Sequence, residues 1–177
     1  MIYLPTYVIK SVYDIDFAKL YAEGKRIILS DLDNTLASYA EKRPSLRLKE
    51  LYQEIIKYGF KIYLVTNNNN DRLLEFIKEF PVTGYLIKAR KPQVKRLKKF
   101  IETENLNSRE IIAIGDQLLT DTIAYRKNNL DTILVKSIDR KTEHWYTKIN
   151  RLREKNLLKR IKKENQEIYQ KIKELYE

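Results

Sequence analysis

The sequence predicts an α/β fold in three layers: a central five-stranded parallel sheet, helices on both faces, and a basic helical extension at the C-terminal side. Three observations predict it. Short runs rich in Ile, Val, Leu and Tyr recur along the chain; they are too short for stable helices and apolar without alternation, as in strands covered on both faces. Between them lie stretches with apolar residues at three- and four-residue steps. From about residue 139 the composition shifts to Lys, Arg and Glu.

In order, the strands fall at 26–32, 61–66, 85–88, 111–115 and 132–135. The first helix covers 46–58. Ser45 is its N-cap, Gly59 its stop, and Leu48, Leu51, Tyr52, Ile55 and Ile56 form its apolar stripe. Asp71 is expected to cap a helix over 72–80 that Pro81 ends, and Pro92 suits the first turn of a helix over 93–104. A further helix is expected over 121–128. Alternating strands and helices imply right-handed crossovers in one parallel sheet. Residues 1–138 then form one domain with its core at 25–136, and 139–177 form a basic amphipathic tail packed on it. In that tail Ile161, Ile168, Ile172 and Leu175 have helical spacing, which fits one or two helices.

The 177 residues suffice for one domain with a substantial core. There is no Cys, which removes thiol chemistry and disulfides and suits a reducing cytoplasm. The first residues lack a basic leader pattern, and no stretch is apolar enough for a membrane span, so the expected location is cytoplasmic or peripheral to a membrane. The net charge is +11, and residues 140–177 carry twelve Lys or Arg against six Glu. Such a charge favours polyanions: an anionic membrane surface, nucleic acid or phosphorylated small molecules. Tyr3, Leu4, Tyr7, Val8 and Ile9, with Trp145 and Tyr146 amid Lys and Arg, would either dock on an anionic bilayer or pack in the core. His144, a lone histidine beside Trp145, reads as structural.

Polar residues of one kind follow each expected strand. The first gives Asp31, Asp33 and Thr35, the second Thr66 and Asn67, the loop after the third Lys91, and the fourth Asp116 with Asp121 five residues on. Ligands of open parallel sheets bind outside the carboxyl ends of the strands, so these residues are expected to converge. Asp31 and Asp33, two apart on an extended segment, face one site. A third carboxylate beside them repels strongly unless a cation is present, and oxygen-only ligands suit Mg²⁺. A carboxylate nucleophile, a metal, a lysine and a hydroxyl together describe phosphoryl transfer.

In this order the motifs resemble the haloacid dehalogenase (HAD) superfamily of phosphohydrolases: "DLDNTL" at 31–36, Thr66 in "LVTNN", Lys91 in "KARKP" and "GDQLLTD" at 115–121. The resemblance spans about 25–136 and implies the three-layer Rossmann-like fold of that superfamily. "TNNN", "TILV" and the "NRLREK" at 150–155 further resemble its YqeG-type branch, related to mitochondrial phosphatidylglycerophosphate phosphatases. That branch carries small glycines after the last motif, where this chain has Ala124 and Tyr125, so packing beside the site is expected to differ.

The resemblance implies that Asp31 is the nucleophile and Asp33 the acid/base. It further implies that Asp31, Asp33 (through its backbone carbonyl) and Asp116 hold Mg²⁺, and that Thr66, Asn67 and Lys91 bind phosphate. Asp121 would orient Lys91 or a metal-bound water, and Asn34 and Asn67 would lend backbone N–H groups. Only 30 residues separate Leu36 from Thr66, and 25 separate Thr66 from Lys91, so neither interval holds a cap domain. An uncapped site suits a large or membrane-borne substrate, first of all phosphatidylglycerophosphate, with a nucleic-acid end as the alternative. A receiver-like signalling module would share the Asp, Thr and Lys, but it would lack the acid/base at Asp33. A binding protein that has lost its chemistry would not keep the full residue set.

Overall fold

Ile28, Ile62, Leu64, Ile112 and Ile114 face one side of the sheet, and Ile27, Leu29, Tyr63, Val65, Ile111 and Ala113 face the other; all are buried. This two-sided burial is why the strands read as unbroken apolar runs. The structure, a computed structural model, describes every residue except Thr142, His144 and Glu177, together with the side chains of Asn70 and Tyr146 left undescribed. His144 and the Tyr146 side chain therefore lie outside the described residues.

Among the described residues, six strands form one sheet: β1 (Tyr7–Ile9), β2 (Ile27–Ser30), β3 (Lys61–Val65), β4 (Gly84–Leu86), β5 (Ile111–Gly115) and β6 (Asp131–Val135). All pairs are parallel, in the order β1-β6-β5-β2-β3-β4. Around the sheet lie α1 (Phe17–Ala22), α2 (Leu46–Lys57), α3 (Asn70–Ile77), α4 (Lys95–Thr103), α5 (Ile123–Lys127), α6 (Trp145–Glu164) and α7 (Gln166–Tyr176). Residues of α1, α2 and α3 pack on one face and those of α4 and α5 on the other. Each fully buried Leu or Ile in these layers contributes about 1.5–3 kcal/mol.

The sheet has one strand more than expected. Tyr7, Val8 and Ile9 pair with Ile133, Leu134 and Val135 at the edge, and Tyr3, Leu4 and Val8 pack against the C-terminal helices. Three residues leave no periodic signal, so the N-terminal segment could not be told from a docking segment by pattern; in the structure it is packed.

Ser45 caps α2, its hydroxyl accepting from the Leu48 N–H at 3.2 Å, and Gly59, at φ +89°, ends the helix in the left-handed region that glycine tolerates. Asp71 does not cap α3. The helix begins at Asn70, two residues earlier than expected, and ends at Ile77; Asp71 lies in its first turn, where the helix dipole favours an acid. Pro92 lies in the turn before α4, which starts at Lys95.

The tail forms two helices. The Asn165 side chain accepts from the Ile168 N–H at 2.9 Å and starts the second. Ile161, Ile172 and Leu175 close over Leu118 and Leu134, so the extension is packed on the sheet domain. Among the described residues no helix is long and apolar enough to cross a membrane.

Candidate active site

β2 lies between β3 and β5, where the strand order reverses, so a crevice opens at their carboxyl ends. Asp31 is the first residue past β2, its N–H bonded to Ile114 O at 2.9 Å. The chain then turns tightly: Leu36 N–H bonds Leu32 O at 3.0 Å, and Asn34 adopts φ 62°. The Asn34 N–H bonds Ala37 O at 2.7 Å inside this turn, so it is not offered to a phosphate as expected; Asn34 instead accepts from the Ile138 and Asp139 N–H groups. After β5, the main chain makes a wide π-type turn at Leu118–Thr122 that carries Asp121 back over Gly115. A Cβ at Gly115 would collide with the Asp121 side chain, so only glycine fits there.

Asp31, Asp116 and Asp121 converge, with ligand oxygens all within 4.8 Å of one another. The Lys91 ammonium sits among them, donating to Asp31 at 2.6 Å and Val65 O at 2.7 Å and forming an ion pair with Asp121 at 2.7 Å. The Tyr125 ring, buried at the position where glycine was expected, lies 5.6 Å from that ammonium, and Ala124 is buried beside it. Thr35 Oγ lies between Asp31 (3.3 Å) and Asp116 (3.5 Å). The Asn67 side chain clasps the Lys91 backbone, accepting from its N–H at 2.7 Å and donating to its carbonyl at 3.1 Å.

The Asp33 carboxylate points the other way. It accepts from Asn68 at 2.6 Å and Thr66 at 3.2 Å, and it pairs with Arg72 of α3, which also donates to Ser38 O and Glu41 O. Beside it opens a bay of about 370 Å³ lined by Tyr39, Thr66, Asn68, Asp71 and Arg72. The inner space among Asp31, Lys91 and Asp121 is about 40 Å³ and shares Asp33, Tyr39, Thr66 and Asn68 with the bay. A small group held at Asp31 would therefore carry its larger remainder past Asp33.

Sequence reasoning gave no role to Arg72, Arg151, Glu143 or Glu154. Arg151 of α6 pairs with the Asp116 carboxylate, donates to Asp116 O at 2.8 Å, and also pairs with Glu143 and Glu154. "NRLREK" contained Arg151, but only the fold shows which strand end it meets.

Six buried carboxylates (Asp31, Asp33, Asp116, Asp121, Glu143 and Glu154) thus meet three cations: Lys91, Arg72 and Arg151. Burial pushes Asp31 up to about 7, with Lys91 pulling down and Asp121 and Asp116 adding to the rise. Burial likewise pushes Asp116 up to about 6, against the pull of Arg151. Burial lowers the affinity of Lys91 for its proton, yet Asp121 and Asp31 hold it well above its ordinary value. The site therefore retains excess negative charge in a space built of hard oxygen ligands, and a divalent cation at Asp31 and Asp116, with Asp121 beside them on Lys91, fits it.

The strand-end carboxylates Asp31 and Asp33, a buried lysine and a trailing acid pair on this sheet fit phosphoryl transfer, and the chain belongs to the haloacid dehalogenase-like hydrolases, whose family model matches residues 28–135. It is similar to the probable phosphatase YqeG of Bacillus subtilis, at 32% identity over 161 residues, covering 91% of this chain and 92% of that one. Solved structures share the fold at lower identity. One is the 3-deoxy-D-manno-octulosonate 8-phosphate phosphatase of Yersinia pestis (TM-score 0.53, 12% identity, 75% of each chain). Another is a hydrolase of Streptococcus pneumoniae (TM-score 0.50, 19% identity, 65% of this chain and 95% of that one). The chain is a phosphatase of this family.

Proposed function

We propose that the protein is a Mg²⁺-dependent phosphomonoester hydrolase acting through an aspartyl-phosphate on Asp31, with a membrane-borne lipid phosphate, first of all phosphatidylglycerophosphate, as its substrate. The observation that carries the chemistry is the opposed placement of two acids two residues apart: Asp31 among Lys91, Asp116 and Asp121, and Asp33 turned to the open bay.

Asp31 Oδ attacks phosphorus as the bond to the leaving oxygen breaks, and Asp33 gives that oxygen its proton. Water then attacks the aspartyl-phosphate, Asp33 takes a proton from it, and phosphate leaves as the Asp31 carboxylate is restored. Thr66 and Asn68 donate to Asp33 and Arg72 pairs with it, which holds its carboxylate at the mouth of the bay where the water of the second step enters. Its acid role in the first step requires the Arg72 contact to give way as the leaving group enters. Lys91 and the backbone beside Thr66 and Asn67 would hold the transferring oxygens. A cation held by Asp31 and Asp116, with the Asp33 carbonyl, would offset the charge between nucleophile and phosphate.

Two features support the substrate class. The intervals after the first two motifs hold only α2 with β3 and α3 with β4, so the bay stays open. Helix α6 turns Thr147 and Asn150 toward the inner space, and on its outer side exposes Trp145 (72%), Ile149 (40%) and Leu152 (61%) among Lys148, Arg153 and Lys155. An apolar stripe in a cationic helix suits an anionic bilayer.

The test is phosphate release from phosphatidylglycerophosphate in anionic vesicles, beside a 3′-phosphorylated oligonucleotide, with wild type and Asp31→Asn in parallel. Mg²⁺-dependent release from the vesicles, absent in the variant, is expected. Release from the oligonucleotide alone moves the substrate to nucleic-acid ends, and release unaffected by Asp31→Asn overturns the mechanism.

A further inference from the structure

The guanidinium of Arg151 has five N–H groups, and all of them are engaged around one carboxylate of the proposed cation site. Nη2 pairs with Asp116 Oδ2 and with Glu143 at 2.9 Å. Nη1 donates to Asp116 O at 2.8 Å and reaches Glu154 at 3.4 Å, while Nε donates to Glu143 at 3.2 Å. Asp116 is therefore gripped at two points, main chain and side chain, a geometry that a planar fork can supply and a lysine ammonium cannot. Its other oxygen, Oδ1, faces Thr35 and the Asp31 side, where the three acids converge. One oxygen is held from behind and the other is left aimed at the cleft.

The fork is itself held. Glu154 accepts from the Leu119 N–H at 3.0 Å and from the Tyr176 hydroxyl at 3.3 Å, and Glu143 accepts from Ser137 Oγ at 3.4 Å. These contacts come from the turn after β5, the loop after β6 and the last turn of α7. A lone arginine at Asp116 would neutralise it and compete with any cation. Two glutamates on the same guanidinium offset its charge, so Asp116 is oriented while the cleft stays negative. Tail attachment does not need this arrangement, because Leu118, Leu134, Ile161, Ile172 and Leu175 already bury the helices on the domain. A buried ion network is weak evidence for stability and better evidence for fixing a geometry.

We propose that Arg151 is a positioning residue: through Asp116 it holds the cation site in its binding geometry, which makes the helical extension beyond the family-matched segment part of the catalytic unit. The proposal rests on the metal-dependent reading of the three acids, and the test separates the two. Mg²⁺ binding to the metal-free full chain would be measured by titration calorimetry, without substrate, for wild type, Arg151→Lys, Arg151→Ala and Ile161→Val. Removing a residue that orients a metal ligand weakens metal affinity about 10–100-fold. That loss is expected in both Arg151 variants, with Lys failing to rescue Ala. Ile161→Val should lower Tm and leave the Mg²⁺ affinity unchanged.

Wild-type affinity in Arg151→Lys overturns the fork argument. If Arg151→Ala does not fold, Arg151→Lys alone decides. An equal loss of affinity in Ile161→Val would show a general packing effect and sink the proposal. No Mg²⁺ binding by the wild type would remove the metal-dependent reading itself.

Discussion

Replacing Lys91 by Met removes a buried ammonium from between two carboxylates while keeping most of its volume. The lost contacts are those to Asp31 (2.6 Å), Asp121 (2.7 Å) and Val65 O (2.7 Å), and the side chain is 2% exposed. Breaking a buried pair by removing one partner costs about 3–5 kcal/mol, because an uncompensated charge remains. The cost should depend on pH. Asp31 in the metal-free protein stands at about 7, against an ordinary 3.8, so the folded state binds the extra proton and stability falls as pH rises from about 4 to about 7. In the wild type that fall ends near 7.

Lys91 is the largest influence holding Asp31 down, so in Lys91→Met the value rises and the fall continues past 7. Between pH 7 and pH 8 the variant loses about 1.4 kcal/mol, about 1 kcal/mol more than the wild type. Urea unfolding in EDTA at pH 5 and pH 8 measures this difference. In Lys91→Met/Asp31→Asn the excess at pH 8 should disappear. A loss of equal size at both pH values, or strict additivity of the two substitutions, would refute the reasoning.

Gly115→Ala should destabilise by about 1–3 kcal/mol and abolish phosphatase activity, since the new methyl pushes Asp121 off Lys91; wild-type melting and turnover would contradict it. Saturating Mg²⁺ should raise Tm little at pH 5 and most at pH 8, because Asp31 and Asp116, at about 7 and 6, must lose protons to bind it; calorimetry showing the same rise at both pH values would count against that site. Asp33→Asn, given an aryl phosphate whose leaving group needs no proton, should accumulate phosphorylated Asp31, visible by intact mass; an unmodified chain during turnover would remove Asp33 from the second step.

What the sequence made legible is what local pattern controls. Ile111–Gly115 was readable as a strand because both faces are buried, and Asp31, Asp33, Thr66 and Asp116 because they follow such runs closely, with Lys91 in the loop after a third apolar run. β1 was not readable, since three residues at a sheet edge carry no period, and neither was the π-type turn at Leu118–Thr122 by which Asp121, expected beside Lys91, reaches it. Arg72 lies on an ordinary amphipathic helix, and nothing local marks it as a partner of Asp33. Arg151 lies among eleven other cations of a tail whose composition reads as a solvated or membrane-facing charge run.

Composition averages over the two sides of α6, and the two sides do different things. Toward solvent, Lys148, Arg153 and Lys155 are exposed; toward the domain, Thr147 and Glu154 are buried and Arg151 reaches Asp116. Of twelve positive charges, the one that touches the site is distinguished only by the two glutamates, Glu143 and Glu154, that fold against it. A buried arginine is tolerable only with such partners, so acids at positions eight before and three after a tail arginine were the signal available in the sequence. They can be read as one only when a strand end with its own carboxylate is known to lie opposite.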